Sequence, residues 1–126
     1  MIFLVVGLLG SSLAGLAQSL QGRAVMGREG AAQELRQALK DTSETRKIAG
    51  QGHPIPTSRM AVAVAEPVLF RVYGKKQIRS ERPYETYLID HYWVISGTLP
   101  QGSKGGNFLI VLDARNSRVV EVTHYK

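Results

Sequence analysis

Tyr84-Glu85-Thr86-Tyr87-Leu88-Ile89, Asp90-His91, Tyr92-Trp93-Val94-Ile95-Ser96-Gly97-Thr98-Leu99: this stretch decides the fold. Its two halves alternate with period two and are rich in aromatic and β-branched side chains, and the dipeptide between them is a short turn. In the second half Trp93, Ile95 and Gly97 share one face, and Tyr92, Val94, Ser96 and Thr98 the other. Pro100 to Gly106 is a Gly-rich loop. Asn107 to Ala114 is apolar on both faces, the pattern of a central strand. After an Asn116-Ser117 turn, Arg118 to Tyr125 sets Val120, Val122 and His124 against Val119, Glu121 and Thr123.

A helix precedes these strands. Thr57 or Ser58 suits an N-cap, because its hydroxyl can accept an orphan backbone N–H. From Arg59 to Tyr73, Met60, Val64, Val68 and Val72 recur every four residues with Ala61, Ala65 and Leu69 beside them, a broad face for a sheet. Pro67 cannot donate to the carbonyl of Ala63, so a kink or a restart after Glu66 is expected. Gly74 is placed to end the helix in the left-handed conformation. One helix followed by four closely connected strands implies an α+β domain, a helix packed on an antiparallel four-stranded sheet.

The chain has 126 residues and no Cys, so disulfides, thiolate metal sites and Cys nucleophiles are excluded. The net charge is +6, spread along the chain singly or in pairs. Nucleic-acid binding would concentrate it on one element, so no nucleic-acid partner is expected. Met1 to Gly22 has no charged side chain; an apolar run from Ile2 to Leu9 leads to small residues at Gly15 and Ala17. This is the pattern of a signal peptide over residues 1–17 and of an exported, periplasmic protein. The alternative is an uncleaved membrane anchor, the one route by which a membrane enters. Residues 18–56 read as a weakly ordered helix and linker: Glu29 to Ile48 has a thin apolar stripe of Ala31, Leu35, Ala38 and Leu39, and Gly50 to Pro56 ends it. The packed domain is 57–126.

The ordered set Val72-Tyr73-Gly74-Lys75, Arg82-Pro83-Tyr84, Trp93 to Pro100, Lys104-Gly105-Gly106 and His124-Tyr125-Lys126 resembles the bacterial immunity proteins with a nuclear-transport-factor-two-like fold, over roughly Thr57 to Lys126. The resemblance implies a curved, cone-like sheet, a place in polymorphic toxin systems, and a protein that binds and neutralises a cognate toxin by occlusion. It implies no catalysis and no cofactor. The alternative is a small-ligand-binding or catalytic cone-fold domain, which would need a carboxylate buried among apolar residues; none is legible in the sequence.

The partner-binding candidates are Arg82, Tyr84, Tyr92, Lys104, Gly105, Gly106 and His124. Exposed Tyr beside Arg has the composition of a protein contact. One helix covers one face of a sheet. The other face, read as Tyr84, Tyr92, Ser96, Thr98 and Glu121 with Arg82 and Lys104 at its rim, is left to solvent, to a partner, to a homodimer, or to Glu29–Ile48. Gly97 to Lys104 imitates a phosphate-binding loop, but Lys follows Ser and a strand follows where a helix is required. His53, His91 and His124 lie in a linker, a turn and the last strand, with no metal-ligand spacing.

Overall fold

The computed structural model describes residues 20, 22–40 and 52–126; residues 1–17, read above as a signal peptide, and the 41–48 part of the expected first helix lie outside these. A two-residue strand β1 (Arg23–Ala24) leads into α1 (Gly27–Lys40). Then come α2 (Ser58–Tyr73), α3 (Lys75–Ser80), β2 (Glu85–Ile89), β3 (Tyr92–Ser96), the short β4 (Leu99–Pro100), β5 (Phe108–Asp113) and β6 (Val119–His124). Strands β2-β3-β5-β6 form an antiparallel meander in chain order, and β1 pairs with β4. The fold is α+β, with β5 internal and buried along its whole length.

The β2–β3 hairpin turns on Asp90 and His91, both with positive φ, as a two-residue hairpin turn demands. β3 stops at Ser96 rather than reaching Leu99. Gly97 N–H still bonds Phe108 O, but Thr98 N–H bonds Glu81 O, which draws the chain off the sheet toward β1. A bulge lies in β6: Leu112 pairs with Val119 and Val111 with Glu121. The extra residue, Val120, is thereby separated from Val122, whose face it was expected to share.

α2 runs unbroken through Pro67, so of the kink or restart expected after Glu66 the restart does not occur. Pro67 is on the exposed side, where water can take the carbonyl it leaves unpaired. Thr57 caps the helix, its Oγ1 accepting from Met60 N–H at 3.2 Å. Gly74 has positive φ (92°), but its ψ of 140° is outside the left-handed helix, and α3 begins at once beyond it. The buried stripe of α2 is Ala61, Ala65 and Leu69; Met60 and Val72, expected to pack, are exposed. That stripe closes a core with Ile78, Trp93, Ile95, Phe108, Ile110 and Leu112. The Trp93 indole N–H donates to Ile55 O at 2.8 Å, fixing the chain before α2 to the sheet.

The second face is covered by α1. Ala31, Leu35 and Ala38 are buried against Val94, Leu109 and Val111, with Tyr87, Tyr92 and Val120 at the margin. The thin stripe suffices because small Ala side chains let the helix approach closely. Leu39 lies outside the seal and is exposed.

Candidate partner-binding surfaces

Two buried carboxylates organise the end of the sheet from which β2 starts. Glu81 is 0% exposed. One of its oxygens accepts from Phe108 N–H at 2.7 Å; the other faces Gln77 Nε2 and His124 Nε2, each at 3.1 Å. Gly97 lies against this carboxylate: a Cβ there would stand 2.8 Å from Glu81 Cβ and closer still to Oε1. The His124 ring has Nδ1 2.9 Å from Tyr125 O and packs on Tyr73 with centroids 5.1 Å apart. Both ring nitrogens face oxygen atoms.

Glu85, also buried, reaches the other way. Its carboxylate accepts from Met26 N–H at 2.6 Å and Gly27 N–H at 2.9 Å, capping the N-terminus of α1, where negative charge is favoured. Tyr87 OH donates to it at 2.9 Å. Burial, and then the hydrogen bond to Glu85 and its charge, push the Tyr87 hydroxyl up to about 12. A second clamp acts four residues before α1. The Arg23 guanidinium donates to Thr98 Oγ1 and Thr98 O, and to the carbonyls of Ser80 and Arg82. Buried carboxylates are therefore present twice, where the sequence led us to expect none. Every buried side-chain polar atom among the described residues has a partner, and Glu81 and Glu85 spend theirs on protein donors.

The candidate residues do not share one face. Arg82 and Tyr84 lie on the α2 side. There Glu66 accepts from Tyr84 OH at 2.6 Å and from Arg82 Nε at 3.0 Å, and the Arg82 guanidinium sits over the Tyr84 ring. Burial raises the Glu66 carboxyl, but the bonds from Arg82 and Tyr84 outweigh it and hold the group below its ordinary range. These residues line a cleft of about 500 Å³ with Arg59, Val62 and Pro83. Tyr84 rests edge-on against Phe108, in the core and away from Tyr92.

Tyr92 is on the α1 side at the far end of β3, under the Arg115 guanidinium at 5.7 Å. Ser96 and Thr98 are buried instead of open. Lys104 is exposed in the loop after β4, beside a cleft of about 370 Å³ lined by Ala24 to Met26, Leu99 and Pro100. Gly106 has a structural demand: a Cβ would stand 2.6 Å from Tyr125 Cβ and nearer its carbonyl. Gly105 has φ of +109°, which L side chains rarely adopt. Among the described residues no group of three or more His, Cys, Asp or Glu could hold a metal ion.

Residues 60–126, the α2-to-β6 unit, match the family model described as NTF2 fold immunity protein. The chain belongs to this family. It is also 32% identical over 73 residues to "Uncharacterized protein YbbC" of Escherichia coli (strain K12), a match over 57% of this chain and 60% of that protein. The chain thus spans about 60% of the length of that curated relative. No solved structure matches. The family region begins inside α2, so α1 and its clamps on Glu85 and Thr98 come from outside the matched stretch.

Proposed function

We propose that this immunity-family chain binds a cognate bacterial toxin and neutralises it by covering the toxin's working surface. Family membership carries the reading. The interior supports it: the space between α2 and the sheet is filled by Leu69, Ile78, Trp93, Ile95 and Phe108, and both buried carboxylates are committed to protein donors. A catalytic cone needs a general base open to a substrate. The clefts at Arg82 and at Lys104 lie on the outside, and neither is lined by Glu81 or Glu85. A binding module needs only a preformed outer surface.

The test is survival of cells that co-produce the full chain and its cognate toxin domain. Growth restored by the chain, with a stable complex of the two purified proteins, is the expected result. Cells that die equally with and without the chain would refute the proposal. We further propose export to the periplasm, supported by the uncharged apolar start of the sequence. Intact mass of the protein from its host should show loss of residues 1–17; a full-length cytoplasmic product overturns export and leaves toxin binding standing. Among the described residues no helix is long and apolar enough to cross a membrane.

A further inference from the structure

α2 carries more apolar surface than its packing uses. Ala61, Ala65 and Leu69 are buried, yet Met60 is 45% and Val72 55% exposed. Ala63 and Pro67 are exposed too, and Val64 and Val68 are only partly covered. At 3.6 residues per turn Met60, Ala63, Val64, Pro67 and Val68 form one continuous arc beside the buried stripe, and Val72 continues the Met60-Val64-Val68 row at the end of the helix. Apolar residues scattered singly on a surface are ordinary, but a contiguous patch marks an interface.

The charge around the arc has one sign. Arg59 stands beside Met60 at one end; Arg71, Lys75 and Lys76 surround Val72 at the other, and all four are exposed. The only carboxylate from Ser58 to Ser80 is Glu66, which Arg82 and Tyr84 hold. A second copy laid on this arc, parallel or antiparallel, would bring cation against cation at both ends, which works against association. An occupant that surrounds an apolar centre with carboxylates meets both features. The sheet offers no rival face, because α2 covers one side and α1 the other.

We propose that the exposed arc of α2 is the toxin-docking surface, and that its partner there is an acidic protein surface with an apolar centre. This rests on the immunity reading above. Two double variants of the full chain test it: Met60→Asp with Val72→Asp, and Arg71→Glu with Lys76→Glu. All four side chains are exposed, so circular dichroism should show an unchanged fold. Affinity for the purified toxin domain should fall about 30-fold or more for the first pair, with loss of protection. It should fall about tenfold for the second, with a weaker dependence on salt. If the wild type protects and both variants protect equally, the docking surface lies elsewhere and the immunity reading survives. If the wild type itself neither binds nor protects, both fall. Two further results overturn the inference alone: a wild-type dimer that the Met60/Val72 variant makes monomeric, which assigns the arc to self-association, and wild-type binding to phosphatidylglycerol vesicles that the same variant abolishes, which assigns it to a membrane.

Discussion

Replacing Gly97 with Ala is the sharpest test of the Glu81 arrangement. The backbone there is not in the left-handed region, so Ala adds no dihedral strain and would itself stabilise by about 0.4–1 kcal/mol through the unfolded chain. The cost is steric. The new methyl would meet Glu81 Cβ at 2.8 Å and the carboxylate more closely, and Glu81 is the C-terminal neighbour of α3 with no free space around it. Moving it breaks the 2.7 Å bond from Phe108 N–H inside β5. A hydrogen bond to a charged group contributes about 1.5–3 kcal/mol, and the buried N–H finds no water in exchange. The net loss is about 1–2.5 kcal/mol, a fall in Tm of roughly 5–10 °C for a domain of this size. Thermal unfolding followed by circular dichroism reads it. The companion is Glu81→Ala with Gly97→Ala: once the carboxylate is gone the methyl has room, so the double variant should be more stable than the two single effects added, by about 1 kcal/mol. Strict additivity, or a Gly97→Ala Tm within 1 °C of wild type, would falsify the account.

Other expected outcomes follow from the same geometry. Glu85→Ala removes the cap of α1, so hydrogen exchange at Gly27–Lys40 should speed up while β3 and β5 stay protected; unchanged protection of α1 would show that its apolar seal alone holds it. Trp93→Ala removes a buried indole bonded to Ile55 O and should cost about 3–5 kcal/mol; a melting temperature close to wild type would place Trp93 outside the core. The bonds from Arg115 hold the Asp113 carboxyl below its ordinary range, partly opposed by burial. Its contribution is therefore present above about pH 4 and lost as pH falls through the lowered value. Asp113→Asn should be less stable than wild type at pH 7, with the gap closing in acid; a gap independent of pH from 7 to 2 would refute the assignment.

The strands were legible because β-branched and aromatic residues recur with period two and become continuously apolar where both faces are covered. β5 shows this most clearly, being apolar at Phe108 through Leu112 and internal in the sheet. The inward face of α2 was not legible. With Met60, Val64, Val68 and Val72 as apolar as Ala61, Ala65 and Leu69, periodicity offers two adjacent stripes and cannot choose between them. The register of β6 was hidden by a bulge that leaves no mark in its composition. Tyr84 was assigned to the face of Tyr92, but its pairing neighbours put Glu85, Tyr87 and Ile89 on that side. Glu85 did leave a signal: it is a carboxylate on a strand face otherwise made of Tyr87 and Ile89. Glu81 left none, since its partners Phe108 and His124 come from distant strands.

The segment Glu81 to Glu85 explains why so small a domain can present a fixed surface. Glu81 ties α3 to β5 and β6; Arg82 and Tyr84 tie it to α2 through Glu66. The carbonyls of Arg82 and Pro83 receive Arg23 and Thr98, and Glu85 holds α1. Five consecutive residues thus touch every helix among the described residues. A buried carboxylate is costly unless all its donors are in place, so each of these elements is favoured in its final position only when the others are formed. Such coupling adds little net stability, but it removes alternative arrangements. A surface already fixed loses less freedom on association. α2 is bound at its middle through Glu66 and adjoins α3 across Gly74 at its end. Its exposed arc is held in place before any partner arrives.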